Sequence, residues 1–190
     1  MRQRFGKLQH GFSLVEGMVV IFIIMVFVGM AILNLTDILP NAKANSAMAE
    51  VVAQLRTARE RAISCRCEVQ VQFTGTNQIT TTEIWTAGNP PPPVTYTWGN
   101  STQFMVFGAL PDTPMLFGNV APVYIGGQAG GPGTMKFATN GAFIDAGNNF
   151  LNGTIFLGIA GKPSTARAVT ILGATGRVRQ YHWDGAQWQE

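Results

Sequence analysis

Residues 11–36 read GFSLVEGMVVIFIIMVFVGMAILNLT, and this stretch decides the architecture of the chain. From residue 17 to residue 36, twenty consecutive positions carry no charged side chain. At a rise of 1.5 Å per residue, a helix of that length spans about 30 Å, the thickness of the hydrocarbon core of a bilayer. The stretch therefore predicts a transmembrane helix with an acidic residue, Glu16, at its head.

The residues before this stretch indicate its orientation. Arg2, Arg4 and Lys7 precede the apolar run, and the positive-inside rule places such a basic end in the cytoplasm. The chain from Asp37 onward is then expected on the other side of the membrane.

Composition limits the classes of function. The chain has 190 residues, 46% of them apolar, which is enough for one domain core and too little for a multidomain enzyme. Its net charge of +3 comes from 13 Lys and Arg against 10 Asp and Glu, and the three bases near the N-terminus account for the excess. The overall charge therefore gives no indication of nucleic-acid binding.

Two simple interpretations of the N-terminus fit poorly. Ala42-Lys43-Ala44 has the small residues of a signal-peptidase site, but a signal peptide ending there would be far longer than the usual 15 to 30 residues or so. A plain membrane anchor leaves Glu16 unexplained, because an acidic residue within hydrocarbon costs about 3 kcal/mol and is usually functional.

A third interpretation explains the glutamate as well. Gly11-Phe12-Ser13-Leu14-Val15-Glu16 resembles the processing motif of type IV prepilins. In that family a membrane peptidase cuts after the glycine and methylates the new N-terminal residue. The resemblance implies cleavage between Gly11 and Phe12, N-methylation of Phe12, and a role for Glu16 in subunit assembly, where a neighbouring ammonium terminus can neutralise its carboxylate.

The same resemblance implies partners and a location. The partners are prepilin peptidase, other pilin or pseudopilin subunits that pack through the N-terminal helix, and the inner membrane. The expected location is the bacterial inner membrane, crossed once, with the C-terminal head in the periplasm, and a filament after assembly.

The second half of the helix is predicted to pack on a globular head. Pro40 predicts a kink or a short break near Leu39. Beyond it, apolar residues recur at alternating spacings of three and four, as in an amphipathic helix. They are Ala44, Met48, Val51, Leu55, Ala58 and Ala62, while Glu50, Gln54, Arg56, Arg59, Glu60 and Arg61 lie off this stripe.

After residue 63 the pattern changes to an alternation of period two with β-favouring residues. Four successive prolines in residues 88–93 predict an extended connection, and residues 126–133 predict a mobile glycine-rich loop. A long helix followed by many short strands predicts an α+β fold with antiparallel sheet. The predicted strands cover residues 69–73, 79–85, 94–98, 103–107, 134–138, 154–159, 168–172 and 177–183.

These observations predict four segments along the chain. They are a leader at 1–11, a transmembrane helix segment at 12–39, an amphipathic half-helix at 40–63 and a β-rich periplasmic head at 64–190.

Three segments of the head resemble the subgroup that contains the minor pilin FimT and pseudopilin H of type II secretion. They are residues 55–63, 135–141 and 168–179, the last of which ends in Gly176-Arg177-Val178-Arg179. The resemblance implies a minor pilin or pseudopilin that enters a type IV pilus or a type II secretion pseudopilus. An uncleaved membrane-anchored binding domain is the remaining alternative.

The C-terminal strand carries a candidate DNA-binding surface. In a strand, Arg177, Arg179, Tyr181 and Trp183 share one face, which offers guanidinium groups for phosphates and rings for base stacking. Lys162 and Arg167 extend this patch if the neighbouring loop folds over it. In FimT-like pilins the Gly-Arg-x-Arg motif is implicated in DNA binding during DNA uptake. The same arginines also suit an assembly role or protection of an edge strand, which we favour slightly.

No catalytic residues, cofactor or metal site are expected. Neither a nucleophile with its base nor a phosphate-binding loop is recognisable in the sequence, and His182 fits a surface or packing role. Cys65 and Cys67, together with His182, lack the spacing of a zinc site. Because residues two apart rarely meet disulfide geometry, the two cysteines are interpreted as structural thiols, with a local or intermolecular bridge as the less favoured alternative.

Overall fold

The computed structural model describes residues 13–99 and 101–190, except for the side chains of residues 31–37. The chain divides into two compact units, Met1–Leu39 and Pro40–Glu190. The predicted cleavage junction between Gly11 and Phe12 lies outside the described residues.

One helix, α1 (Leu14–Cys65), extends over 52 residues. It begins after Ser13, whose carbonyl oxygen accepts a hydrogen bond from the Gly17 N–H at 3.1 Å. The helix continues through Pro40, so the short break considered from the sequence is not formed. Pro40 lacks a backbone N–H and so removes one hydrogen bond of the helix. The residues before and after it remain helical.

The N-terminal part of α1 presents apolar side chains to its surroundings. All large hydrophobic residues from Leu14 to Met30 are between 42% and 78% exposed. Among the residues that the structure describes, no helix reaches the combination of length and hydropathy that defines a candidate membrane span.

The C-terminal part of α1 packs as predicted. The six residues of the apolar stripe are all buried, with exposures of 0% to 9%. Gln54, which was predicted to lie off the stripe, is also buried, and its amide donates to Glu50 Oε1 at 3.0 Å. A partner one turn away along the helix satisfies the amide, which is why a polar side chain is tolerated there.

Within the described residues, twelve strands follow the helix. They are β1 (Glu68–Thr74), β2 (Gln78–Ile84), β3 (Val94–Thr97), β4 (Gln103–Phe104), β5 (Val123–Ile125), β6 (Gln128–Ala129), β7 (Lys136–Phe137), β8 (Phe143–Ile144), β9 (Gly153–Ile159), β10 (Lys162–Leu172), β11 (Arg177–Trp183) and β12 (Trp188–Gln189).

The strands form two antiparallel sheets. The first has the order β3-β2-β1-β7-β8, and the second has the order β12-β11-β10-β9-β5-β6, with β4 also paired to β9. In the second sheet, Arg167 on β10 is opposite His182 on β11, and Leu172 is opposite Arg177. The predicted α+β class, a long helix with antiparallel sheet, is confirmed.

Two apolar cores lie on the two faces of the second sheet. The larger core joins helix residues such as Leu55 to both sheets, for example to Phe137 and Ile155. The smaller core contains Phe156, Ala168, Tyr181 and Trp188, and partly buried residues between Val106 and Met115 pack against it. The sheet formed by β9, β10 and β11 is therefore covered on both sides.

Each predicted strand overlaps an observed one, although β4 and β7 are only two residues long. Several other elements were missed. β5, β6, β8 and β12 have two or three residues each, too few to show an alternating pattern. The glycine-rich stretch at 126–133, predicted to be a mobile loop, contains β6, which pairs with β5.

The interpretation of the two cysteines as free thiols was wrong. Cys65 and Cys67 form a disulfide with a Cα–Cα distance of 5.2 Å, which is within the usual range. Arg66 between them has a φ of 53°. This left-handed residue, placed where the helix ends, turns the chain so that both sulfurs lie on the same side.

Arg167 was predicted to extend a surface patch, but it is a buried structural residue with only 4% exposure. Its Nε donates to Asn45 Oδ1 at 2.6 Å and its Nη2 donates to Asn41 Oδ1 at 3.1 Å. Its Nη1 donates to the carbonyl oxygens of Ser164 and Ala166 at 3.1 and 2.8 Å. Burial lowers the pKa of Arg167 below its ordinary value, yet an arginine remains protonated. The residue thus joins β10 to α1.

Replacing Arg167 should destabilise the protein. Arg167→Met keeps much of the side-chain volume but removes all four donated hydrogen bonds and leaves the buried Ala166 carbonyl oxygen without this donor. We therefore expect a loss of about 2 kcal/mol in the free energy of unfolding. The measurement is denaturant unfolding of the full chain in detergent, followed by circular dichroism. Arg56→Met, at an exposed position of α1, is the matched control and should change stability by less than about 0.5 kcal/mol. Equal effects of the two substitutions would contradict this role.

Candidate functional site

The N-terminal site residues lie at the start of α1. Glu16 is exposed and occupies the first turn of the helix. A carboxylate at this position is favoured by the partial positive charge of the helix N-terminus. The only acid in the first turn therefore stands at the head of the exposed apolar surface formed by residues 14–30. Gly11 and Phe12 are outside the described residues.

The C-terminal strand has the predicted alternation. Val178 points into the larger core, while Tyr181 and Trp183 belong to the smaller core on the other face of the sheet. Tyr181 is only 3% exposed, and the Trp183 ring packs edge-on against Trp188 with ring centroids 5.5 Å apart. Tyr181 is therefore not available for base stacking, whereas Trp183 is half-buried, so the predicted platform of two exposed rings is not formed.

Arg179 is held by neighbours within the chain. Its Nη1 lies 3.4 Å from Glu190 Oε2. A hydrogen bond with the Tyr181 side chain, and then the charge of Glu190, raise the pKa of Arg179 above its ordinary value. Arg177 is exposed at the start of β11. The two arginines of the motif therefore differ in their surroundings.

The other predicted members of the patch are elsewhere. Lys162 is exposed at the first position of β10, ten residues before Leu172, which pairs with Arg177. At about 3.3 Å per residue, the two ends of this strand are roughly 30 Å apart. Arg167 faces α1 and its two asparagines. The patch of six residues is therefore not assembled as predicted.

The fold instead places helix residues beside Arg177. Arg56, Arg59 and Glu60 of α1 line one open groove together with Thr175, Gly176, Arg177 and Val178. We call this the basic groove. From the sequence alone, these helix arginines are predicted only to lie off the apolar stripe. More than a hundred residues separate them from Arg177, so only the tertiary fold brings the three together.

The three head segments that carried the family resemblance meet at the floor of this groove. Arg59 Nε donates to the Gly141 carbonyl oxygen at 3.3 Å. Gly176 has a φ of 61°, and a Cβ atom there would collide with the same carbonyl oxygen and touch the Arg59 side chain. The glycine before Arg177 is therefore required by close packing between α1 and the turns of both sheets.

Comparison with known protein families gives a match at the N-terminus of the chain. The family model described as the prokaryotic N-terminal methylation motif matches residues 6–32. This match includes Gly11, Phe12 and Glu16, and it confirms the predicted type IV pilin-like resemblance. No curated protein matches the chain in sequence.

Two solved structures are similar to the chain, both of the type IV minor pilin FimU from Pseudomonas aeruginosa strain PAO1. The structure in space group P21 has 15% sequence identity and a TM-score of 0.49, and the match covers 78% of this chain and 94% of that chain. The structure in space group P65 has 14% identity and a TM-score of 0.46, with 77% and 97% of the two chains covered.

The junction below the basic groove can be tested at Gly176. Gly176→Ala introduces both an unfavourable φ and a collision, whereas Gly75→Ala at a φ of 60° has no atom within 4 Å of the new Cβ. The backbone cost of about 1 kcal/mol is common to both. We expect Gly176→Ala to lose about 2 kcal/mol more in free energy of unfolding than Gly75→Ala, measured in the same denaturant titration. Equal losses would show that the junction relaxes freely.

Proposed function

We propose that this chain, whose N-terminus carries the methylation motif of type IV pilins, is a minor pilin or pseudopilin. Prepilin peptidase cleaves it between Gly11 and Phe12 and methylates Phe12. The mature subunit then joins a type IV pilus or a type II secretion pseudopilus. The observation that carries this proposal is the motif match at residues 6–32, which leads directly into an exposed apolar helix surface with Glu16 at its head.

The apolar surface of the helix suits two successive environments. Before assembly, residues 17–36 lie in the lipid of the inner membrane, crossed once, with the head in the periplasm. After assembly, the same side chains pack against the helices of neighbouring subunits. In both environments the side chains that are exposed in the single subunit are removed from water, and each Å² of apolar area buried contributes about 25 cal/mol.

Glu16 determines how neighbours align. It is the fifth residue of the proposed mature chain, four positions after Phe12. In an apolar bundle an unpaired carboxylate is costly, and an ammonium terminus from an adjacent subunit neutralises it. The ion pair between the carboxylate of one subunit and the N-terminus of the next then fixes the axial stagger between their helices. Apolar contacts alone would not fix it.

The motif and the fold indicate a structural subunit. The long helix supplies the polymerisation element, and the two-sheet head is carried on its C-terminal part through the larger core. As a minor subunit, the chain would prime filament assembly or lie near the filament tip.

Processing and assembly can be tested in one experiment. We expect mass spectrometry of the full chain, isolated from membranes that contain prepilin peptidase, to show N-methylated Phe12 as the first residue. The Glu16→Gln subunit should be processed in the same way, but its incorporation into sheared filaments should fall at least tenfold because it lacks the charge that pairs with the neighbouring terminus.

Glu190→Gln, which neutralises an exposed acid at the opposite end of the chain, is the control and should assemble normally. An intact leader on the wild-type chain would instead support an uncleaved membrane-anchored domain. Normal incorporation of Glu16→Gln would contradict the charge-pairing role.

A second candidate function is DNA binding by the basic groove. The observation that favours it is that Arg56, Arg59 and Arg177 line one open groove. Guanidinium groups along a groove can neutralise successive phosphates. Glu60 in the same groove and the pairing of Arg179 with Glu190 reduce the positive charge. The groove can thus engage two or three phosphates, which corresponds to weak and salt-sensitive binding.

The salt dependence of binding tests this candidate. For the full chain in detergent, the slope of log K against log salt concentration on duplex DNA should be about −2 to −3. Arg56→Gln/Arg177→Gln should lower affinity and make this slope smaller by about 2, because each lost phosphate contact removes about 0.9.

The control variant Lys162→Gln/Arg66→Gln removes the same charge outside the groove. It should retain the wild-type slope. An equal change in both variants would show that binding follows net charge alone. Absence of binding at low salt would leave the groove with an assembly or structural role.

A further inference from the structure

The disulfide between Cys65 and Cys67 is accessible from solvent. Cys65 is exposed and Cys67 is 9% exposed. Both line an open cavity whose other walls include Arg66, Trp85 and Thr139. Small reagents can therefore approach the bridge from the side of Cys65.

A structural staple does not explain this bridge well. The stabilisation from a disulfide increases with the length of the loop that it closes, and this one closes a loop of only three residues. A purely stabilising disulfide also has no need to lie beside an open cavity. This location suggests that the two sulfur atoms have a reactive or ligand-binding role.

A third ligand lies next to the sulfurs. One carboxylate oxygen of Glu83 on β2 and the two Sγ atoms all lie within 4.8 Å of one another. The Trp85 indole N–H donates to Glu83 Oε2 at 3.0 Å, and the other oxygen, Oε1, is 3.9 Å from Arg61 Nε. The indole therefore orients the carboxylate, as hydrogen-bond donors to ligating side chains do in metal sites. In the part of the chain that the structure describes, the contact of Oε1 is this long ion pair.

We propose that Cys65, Cys67 and Glu83 form a zinc site when the disulfide is reduced. Two thiolates and a carboxylate are ligands that Zn²⁺ prefers, and a solvent molecule from the cavity completes a tetrahedron. With Zn–S bonds of about 2.3 Å, tetrahedral geometry needs a separation of about 3.8 Å between the sulfurs. The Cα–Cα distance of 5.2 Å is compatible with that spacing. Arg61 and Arg66 offset the excess negative charge of the three ligands.

The disulfide-bonded state and the zinc-bound state exclude each other. A dithiol reduces the bridge: its two thiols become a disulfide, and two electrons and two protons pass to the sulfurs of Cys65 and Cys67 as the Sγ–Sγ bond breaks. Zn²⁺ then displaces both thiol protons as it binds, since the thiolate is the ligand. In the oxidised chain the sulfurs are bonded to each other, so zinc is not held. This site is independent of filament assembly.

The test uses the full chain in detergent, reduced with dithiothreitol and desalted under anaerobic conditions. We expect one equivalent of Cd²⁺, a spectroscopic substitute for Zn²⁺, to produce thiolate-to-metal charge-transfer absorption that Zn²⁺ abolishes by competition. The reduced chain should bind at least a hundredfold more tightly than the oxidised chain. Fluorescence of Trp85 should change on binding, because its indole shares Glu83 with the metal.

Matched variants identify the ligands. Glu83→Gln should weaken binding at least tenfold, whereas Glu68→Gln, which removes a nearby carboxylate already paired with Lys136 Nζ at 2.8 Å, should not. Cys65→Ser/Cys67→Ser should abolish the absorption band while circular dichroism remains unchanged. Equal binding by the oxidised chain, a ratio of one metal to two chains, or wild-type affinity of folded Glu83→Gln would each overturn the proposal.

Discussion

The head depends on burying one narrow stripe of α1. The stripe combines small residues with Met48, Val51 and Leu55, and the side chains of Val51 and Leu55 are completely buried. Small residues let the sheets approach the helix closely, and the larger ones fill the space between the two sheets in a single core. Neither sheet alone encloses this core, so the helix is the element on which both sheets are organised.

Polar contacts then fix the position of the sheets on that helix. Arg167 attaches the second sheet through two asparagines one helical turn apart, Asn41 and Asn45. Arg59 attaches the turn at Gly141, which belongs to the first sheet. Hydrophobic burial is not directional, whereas these hydrogen bonds are. They fix the register that apolar packing leaves open, and they also determine which residues meet in the basic groove.

Much of the fold could be predicted from the sequence because its signals are local. The uncharged run, the helical stripe and the longer alternating strands each depend on neighbouring residues. The short strands could not be predicted, because two or three residues are too few to show an alternation of apolar and polar side chains. The Cys65–Cys67 bridge was missed because it requires a left-handed φ at Arg66, a conformation that a non-glycine residue rarely adopts.

The candidate site was only partly predictable. Strand alternation correctly placed Arg177, Arg179, Tyr181 and Trp183 on one face. It could not show that Tyr181 is covered by a loop, since that loop is more than sixty residues away in sequence. Arg56 and Arg59 carry no local signal that connects them with Arg177. A site made from a helix and a distant turn becomes visible only when the tertiary packing is known.

Strand β12 is an integral part of the head, because it contributes a side chain to the smaller core. Trp188 is buried in the smaller core, and its indole N–H donates to the Pro111 carbonyl oxygen at 2.9 Å. Folding of the head therefore cannot be completed until β12 has left the ribosome. During synthesis the smaller core stays open, and the partly buried residues between Val106 and Met115 remain uncovered until the final strand closes over them.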